Sequence, residues 1–174
     1  IAFLKKNYPQ LDGRILEKDF LDFDPSWLPA QKSNQPFSVI GNFPYNISTQ
    51  ILFKVLEFRN NIPEVVGMFQ KEVAERITAT LGGADYGLLG LSVLARADAV
   101  LALAVPRTSF SPPPKVDSAV VVLTRLPSPR LSAVDEKFFW HLARLAFTQR
   151  RKMAAGVLSK ALGRPRADVE SAFA

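Results

Sequence analysis

Four consecutive residues carry the side chains best suited to chemistry: Asn42, Phe43, Pro44 and Tyr45. Asn42 brings an amide with one acceptor oxygen and two donor hydrogens, and Tyr45 brings an aromatic face with a polar tip. Pro44 disfavours the helical region for Phe43 and holds the loop extended. Gly41 lets the backbone come close to a ligand. An amide oxygen and a nearby backbone carbonyl can together accept both hydrogens of an exocyclic amine, while a ring stacks on the base that bears it. That is equipment for holding an adenine out of its stack with its N6 lone pair turned to an electrophile. The same four residues also make an ordinary strand-to-helix turn.

The elements around them decide between these readings. Residues 37–40 form a short apolar run bounded by turn residues, the pattern of a buried strand. Ligands of open α/β sheets gather beyond the carboxyl ends of strands, which is where Asn42 to Tyr45 falls. Ser48 or Thr49 can cap a following helix to about Glu57, with Ile51, Leu52, Val55 and Leu56 on one face. Upstream, residues 1–8 read as the end of a helix, Asp12-Gly13 as a turn, 14–19 as a short strand ending in the acid Asp19, and 22–35 as a loop. Downstream come a strand at 64–70, a helix from Lys71 ending near Gly82-Gly83, a helical stretch at 86–96 and a strand at 99–105. A Pro-rich extended loop, 106–115, holds Phe110 and leads to a Val-rich strand at 118–125.

Strands alternating with helices predict a mostly parallel sheet with crossover helices, and the last two strands a late antiparallel hairpin. Pro127-Ser128-Pro129 is the expected boundary between a domain at 1–126 and an all-helical one at 127–174, with helices at 134–145, 150–162 and from 167 onward.

Four segments in this order carry a family likeness: Asn42-Phe43-Pro44-Tyr45; the stretch from Phe69-Gln70-Lys71-Glu72 to Arg76; Phe110-Ser111-Pro112-Pro113-Pro114-Lys115-Val116-Asp117-Ser118-Ala119-Val120; and Ala146-Phe147-Thr148-Gln149-Arg150-Arg151-Lys152. The first resembles the Asn/Asp-x-Pro-Tyr signature of S-adenosylmethionine-dependent amino-methyltransferases. Together they resemble the ribosomal RNA adenine dimethyltransferase family over nearly the whole chain. The Gln-Arg-Arg-Lys segment separates it from the sister erythromycin-resistance methyltransferases, which act on large-subunit RNA.

The resemblance implies a Rossmann-like methyltransferase domain followed by a small helical domain. It implies S-adenosylmethionine as cofactor and methylation of N6 on two adjacent adenosines near the 3′ end of small-subunit ribosomal RNA. Asn42 and the Pro44 carbonyl would hold the target amine, Tyr45 would stack on the base, and Phe110 would supply the opposing ring. Asp19, with Phe20 beside it, matches the acid that meets the cofactor's adenine, and Asn42 borders its methionine end. Arg107, Lys115, Arg150, Arg151 and Lys152 are the expected RNA contacts. The expected partner is the small ribosomal subunit, met by a cytoplasmic monomer. The family's glycine-rich cofactor loop and the acid that grips the ribose are not found, and the chain begins beyond both. Phe43 replaces the usual Leu, and Thr148 the usual Asn.

Composition narrows the other classes. With 48% hydrophobic residues, 174 residues can bury a core. No apolar run is long enough to cross a bilayer, and no secretory signal is visible. Without Cys there is no thiolate chemistry, and the single His141 makes a histidine-based metal centre improbable. Charge is uneven: residues 127–174 carry nine Lys/Arg and four Asp/Glu, a net +5, against +1 for the rest of a chain at +6. A basic end beside a nearly neutral body suits a polyanionic partner. A non-catalytic RNA-binding or assembly factor on the same fold is the alternative outside enzymology.

Overall fold

The computed structural model of the chain describes residues 1–28, 35–131, 134–149 and 153–173. Its elements are helix α1 (Ala2–Asn7), strand β1 (Val39–Asn42), helix α2 (Ser48–Glu57), strand β2 (Glu64–Gln70), helices α3 (Lys71–Ile77) and α4 (Leu88–Leu94), strands β3 (Ala97–Val105) and β4 (Ser118–Arg125), and helices α5 (Glu136–Phe147), α6 (Ala154–Leu162) and α7 (Arg166–Ser171). The sheet order is β1-β2-β4-β3. Strands β1 and β2 run parallel and are joined by α2, whereas β4 is antiparallel to both its neighbours. The late hairpin is therefore β3–β4.

This topology collects strand ends at one edge. The carboxyl ends of β1 and β2, Asn42 and Gln70, lie there with the end of β3 and the start of β4, because Gln70 and Val105 both pair with Ser118. The loop at 106–117 spans the same edge.

The core is built on the alternation of β2 and β4. Val65, Gly67 and Phe69 pair in register with Leu123, Val121 and Ala119, and all six are buried. Large faces small in the last two pairs, which suits dense packing. Phe69 is 0% exposed, so its truncation to Ala would cost about 3–5 kcal/mol. Helix α2 covers this face with Ile51, Leu52, Val55 and Leu56, all buried and spaced to form one stripe.

Several local expectations are revised. Residues 14–19 form no strand: the Arg14 amide donates to the Leu11 carbonyl at 2.9 Å to close a turn. Leu16 is 47% exposed, so this segment lacks the buried face that holds a strand in place. The first strand starts at Val39 rather than Phe37, whose amide is taken by the Asn61 carbonyl at 2.9 Å. Helix α2 begins with Ile47 in the capping position, and Ser48 instead donates its hydroxyl to the Tyr45 carbonyl at 3.2 Å. Helix α3 stops at Ile77, well before the glycines, and Lys71 pairs with Glu75 along it at 4.0 Å. Helices α3 and α4 meet where a Cβ on Gly90 would stand 2.7 Å from the Arg76 carbonyl oxygen.

The Pro127-Ser128-Pro129 stretch is tied to the body on either side. The Leu126 amide donates to Arg96 at 3.0 Å and the Arg130 amide to Ala95 at 3.1 Å. Glu136, in the first turn of α5, then meets Arg96 directly and Arg59 at 3.8 Å. Among the described residues no helix is long and apolar enough to cross a membrane.

Candidate active site

Asn42 is the last residue of β1 and is exposed. Among the described residues its side-chain amide makes no hydrogen bond, which leaves the carbonyl oxygen able to accept from a ligand. Its direction is set by what lies underneath. The Phe43 ring is 7% exposed and packs edge-on against Phe69, with centroids 5.3 Å apart at 80°. It lies across two paired glycines: a Cβ on Gly41 would stand 2.7 Å from the ring and one on Gly67 2.6 Å from it. Gly41 thus makes room for Phe43, not for a ligand, and Gly67 is its counterpart on the next strand. Phe43 and Tyr45 are consequently held on either side of the exposed Pro44.

Tyr45 is half-buried, and its phenol lies 2.5 Å from the Ser118 hydroxyl. Ser118 is 0% exposed at the start of β4. Its pairing across the sheet edge therefore fixes where the Tyr45 ring stands.

The loop at 106–117 is pinned at both ends. The Asp117 carboxylate accepts from the Arg107 amide at 2.9 Å, and the Asp117 carbonyl accepts from the Lys71 amide at 2.9 Å. Arg107 also donates to the Lys115 carbonyl at 3.5 Å. Arg107 and Lys115 are so brought to one hollow of about 540 Å³, shared with Lys71, Glu72, Glu75 and Asp117. Phe110 is half-buried in the same loop, and no ring contact with Tyr45 is present among the described residues. Asn42, Tyr45 and Phe110 thus share the sheet edge without sharing a hollow among those described. Arg150, Arg151 and Lys152 lie outside the described residues.

Asp19 is exposed and caps a short turn at Phe20–Asp22 by accepting from the Leu21 amide at 2.9 Å. One oxygen is engaged there, and the carboxylate retains acceptor capacity. Phe20 is half-buried and stacks on Phe23, centroids 5.6 Å apart at 14°. The turn lies against α2, whose first residue follows the Asn42 loop. A carboxylate for an exocyclic amine, an aromatic ring and an unengaged amide fit the adenine and methionine ends of S-adenosylmethionine. No metal-ligating cluster occurs among the described residues.

Sequence reasoning missed three participants. Gly67 carried no visible signal, since its role is to clear space for a ring on another strand. Ser118 stood inside a quoted motif, but its partner is 73 residues away. The meeting of Arg96 with Glu136 is equally non-local, although Glu136 and Trp140 sit at helical spacing, with the indole N–H donating to the carboxylate at 3.2 Å.

A profile of the family described as "Ribosomal RNA adenine dimethylase" matches residues 2–171. The chain belongs to the ribosomal RNA adenine dimethylase family. Relatives in it include the ribosomal RNA small subunit methyltransferase A of Cytophaga hutchinsonii, 46% identical over 159 residues, covering 91% of this chain and 59% of that protein. The protein of the same name from Parabacteroides distasonis is 44% identical over 165 residues, covering 94% and 60%. The chain thus spans about three-fifths of the length of these curated relatives. Among solved structures, a dimethyladenosine transferase from Plasmodium falciparum aligns with a TM-score of 0.74 at 29% identity, covering 91% of this chain and 56% of that one. The 23S rRNA methyltransferase ErmE aligns with a TM-score of 0.70 at 27% identity, covering 99% and 67%. These likenesses agree with the expected Rossmann-like α/β class.

Proposed function

We propose that this chain carries the target-base clamp of a ribosomal RNA adenine N6,N6-dimethyltransferase. It acts, as a cytoplasmic monomer, on two adjacent adenosines near the 3′ end of small-subunit RNA. The observation that carries the reading is the pairing of an unengaged Asn42 amide with an anchored Tyr45 ring at the carboxyl edge of β1. Small-subunit RNA is favoured over large-subunit RNA because the relatives at 46% and 44% identity bear the small-subunit name, while the 23S enzyme stands at 27%.

In this reading the Asn42 oxygen and the Pro44 carbonyl accept the two N6 hydrogens of an extruded adenine. The amine nitrogen is a weak nucleophile because its lone pair is delocalised into the ring. Two acceptors on its hydrogens favour a more tetrahedral nitrogen and localise that pair. Tyr45 on one face and Phe110 on the other hold the base, each stack worth roughly 1–3 kcal/mol. Bound S-adenosylmethionine supplies an electrophilic methyl on a sulfonium. Asp19, Phe20 and Asn42 hold its two ends, so catalysis is mainly positioning and exclusion of water. For the second methylation one of the two acceptors must be dispensable, since only one N6 hydrogen then remains. A domain at 1–126 would do this chemistry, and the basic region at 127–174, with Arg150, Arg151 and Lys152, would grip RNA beside Arg107 and Lys115.

The deciding experiment is mass spectrometry of ribosomal RNA from cells lacking the gene, rescued with wild type or with Asn42→Ala. Dimethyladenosine should vanish, return with wild type and stay absent with the variant. Its persistence in the deletion strain would overturn the proposal.

A further inference from the structure

At the far end of α2 from Asn42, a cleft of about 420 Å³ separates α2 and α4 from α5. That volume lies in the range of small-ligand sites, about 300–1,000 Å³. Ten helical residues place it roughly 15 Å from the Asn42 loop. Two kinds of surface face each other in it. Phe53, Leu56 and Leu88 form an apolar side, with Phe53 43% exposed, and Arg59, Arg96 and Arg144 form a cationic one.

The charges there do not balance. Glu136, beside the lining, is shared between Arg96 and Arg59, and Glu57, in the lining, is 3.6 Å from Lys54. Arg144 makes no ion pair among the described residues. Four cations, Lys54 included, therefore meet two carboxylates, an excess of two positive charges. Arg96 is already committed: it meets Glu136 and lies over the Trp140 ring at 4.6 Å. Arg144 is unpaired among the described residues and Arg59 holds Glu136 only at 3.8 Å, so these two remain for a ligand.

A simple anion would need no apolar wall. A nucleotide needs both surfaces, since its phosphate seeks guanidinium groups and its base seeks a ring or an aliphatic face. We propose that this cleft is a second RNA contact, in which Arg59 and Arg144 each hold a backbone phosphate and Phe53 meets the adjoining base. The inference rests on the reading that the chain acts on ribosomal RNA, and it adds a contact one helix length from the target adenosine. Such a contact positions the RNA without reading its sequence.

The test compares two double variants of the whole protein with equal loss of charge: Arg59→Ala with Arg144→Ala in the cleft, and Lys5→Ala with Lys6→Ala on α1. Binding of small ribosomal subunits is measured between 50 and 300 mM salt, at roughly the range over which phosphate contacts are lost. Removing two single-strand phosphate contacts should flatten the slope of log affinity against log salt by about 1.4. The α1 pair should leave the slope as in wild type. Equal slopes for the two double variants would overturn the inference. So would saturable binding of 5′-AMP that the cleft variant abolishes with no change in the RNA slope, since the site would then serve a free nucleotide.

If loss of the Arg59–Glu136 pair unfolds the double variant, Arg144→Ala alone carries the test, with an expected change of about 0.7. Dimethylation by wild type and by Asn42→Ala is assayed in parallel. Unchanged slopes beside normal dimethylation reject only the cleft, whereas absent dimethylation by wild type rejects the proposed function.

Discussion

The phenol of Tyr45 and the hydroxyl of Ser118 stand 2.5 Å apart, joining the loop after β1 to the first residue of β4. Ser118 itself is fully buried and touches no solvent, so its part in any reaction is to set the Tyr45 ring. Ser118→Ala should lower the single-turnover methylation rate by up to about tenfold, the equivalent of a net hydrogen bond of about 0.5–1.5 kcal/mol. RNA affinity should change little. Tyr45→Phe should reproduce the loss, and the double variant should be no worse than either single one. Additive losses in that cycle would show that the two groups act separately.

The two glycines beneath Phe43 give a stability prediction. A Cβ on Gly67 would stand 2.6 Å from Phe43 and 2.7 Å from Phe69, and both rings are buried. Gly67→Ala should therefore cost about 1–3 kcal/mol through overpacking, measured by urea unfolding. Phe43→Leu in the same chain should recover part of it. Failure of that rescue would place the strain elsewhere.

At Gly90 two effects compete. Ala is favoured over Gly inside a helix by about 0.8–1.0 kcal/mol. The added Cβ, however, would meet a backbone oxygen, Arg76 O, at 2.7 Å, which no side-chain rotation can relieve. The clash should win, and Gly90→Ala should lower the melting temperature. A rise would show that α4 can shift away from α3 at little cost.

Much of this was open to reading from the residues, and the boundary lies where distance along the chain begins to matter. Helix α2 and strands β2 and β4 follow from local apolar spacing, and each runs almost as that spacing predicts. The position of Asn42 at a strand end follows from the same logic. The strand expected at 14–19 does not form because the short apolar pair Ile15-Leu16 cannot by itself supply a pairing partner. Gly41 reads as a ligand contact in sequence because a glycine beside a polar loop looks alike whether it admits a substrate or a neighbour's ring. Ser118, Gly67 and the Glu136 junction depend on contacts made only after folding.

Glu136 offers a pH test. The Trp140 indole N–H holds its carboxylate below the usual value of 4.5; burial, the next influence, opposes it, and the charges of Arg96 and Arg59 add to the lowering. Burial pushes the Arg96 guanidinium down while Glu136 raises it, but a guanidinium stays charged throughout the accessible range, so Glu136 is the titrating partner. A depressed carboxyl value stabilises the fold above the unfolded value and loses that contribution as pH falls through the folded one. Glu136→Gln should thus lower the melting temperature at pH 7, and the gap to wild type should close below about pH 4.5. A gap that is constant down to pH 3 would rule out the ionised pair as its source.

Asp117 tests the loop anchor. Removing its carboxylate frees the Arg107 amide, bonded at 2.9 Å. Asp117→Ala should speed amide exchange at Arg107 and raise KM for RNA several-fold, while the chemical step changes less. An unchanged exchange rate would mean that the Lys71–Asp117 backbone bond holds the loop by itself.

Because residues 106–117 form only the connection of a hairpin, they can lengthen, shorten or change charge while both strands keep their ladder. In the proposed reading the loop carries Arg107 and Lys115 toward RNA and Phe110 toward the base, while Asn42, Pro44 and Tyr45 stand on a separate stretch of the chain. Descendants of such a protein are free to exchange one nucleic-acid target for another by recutting a surface ribbon, with the amine-handling corner left untouched.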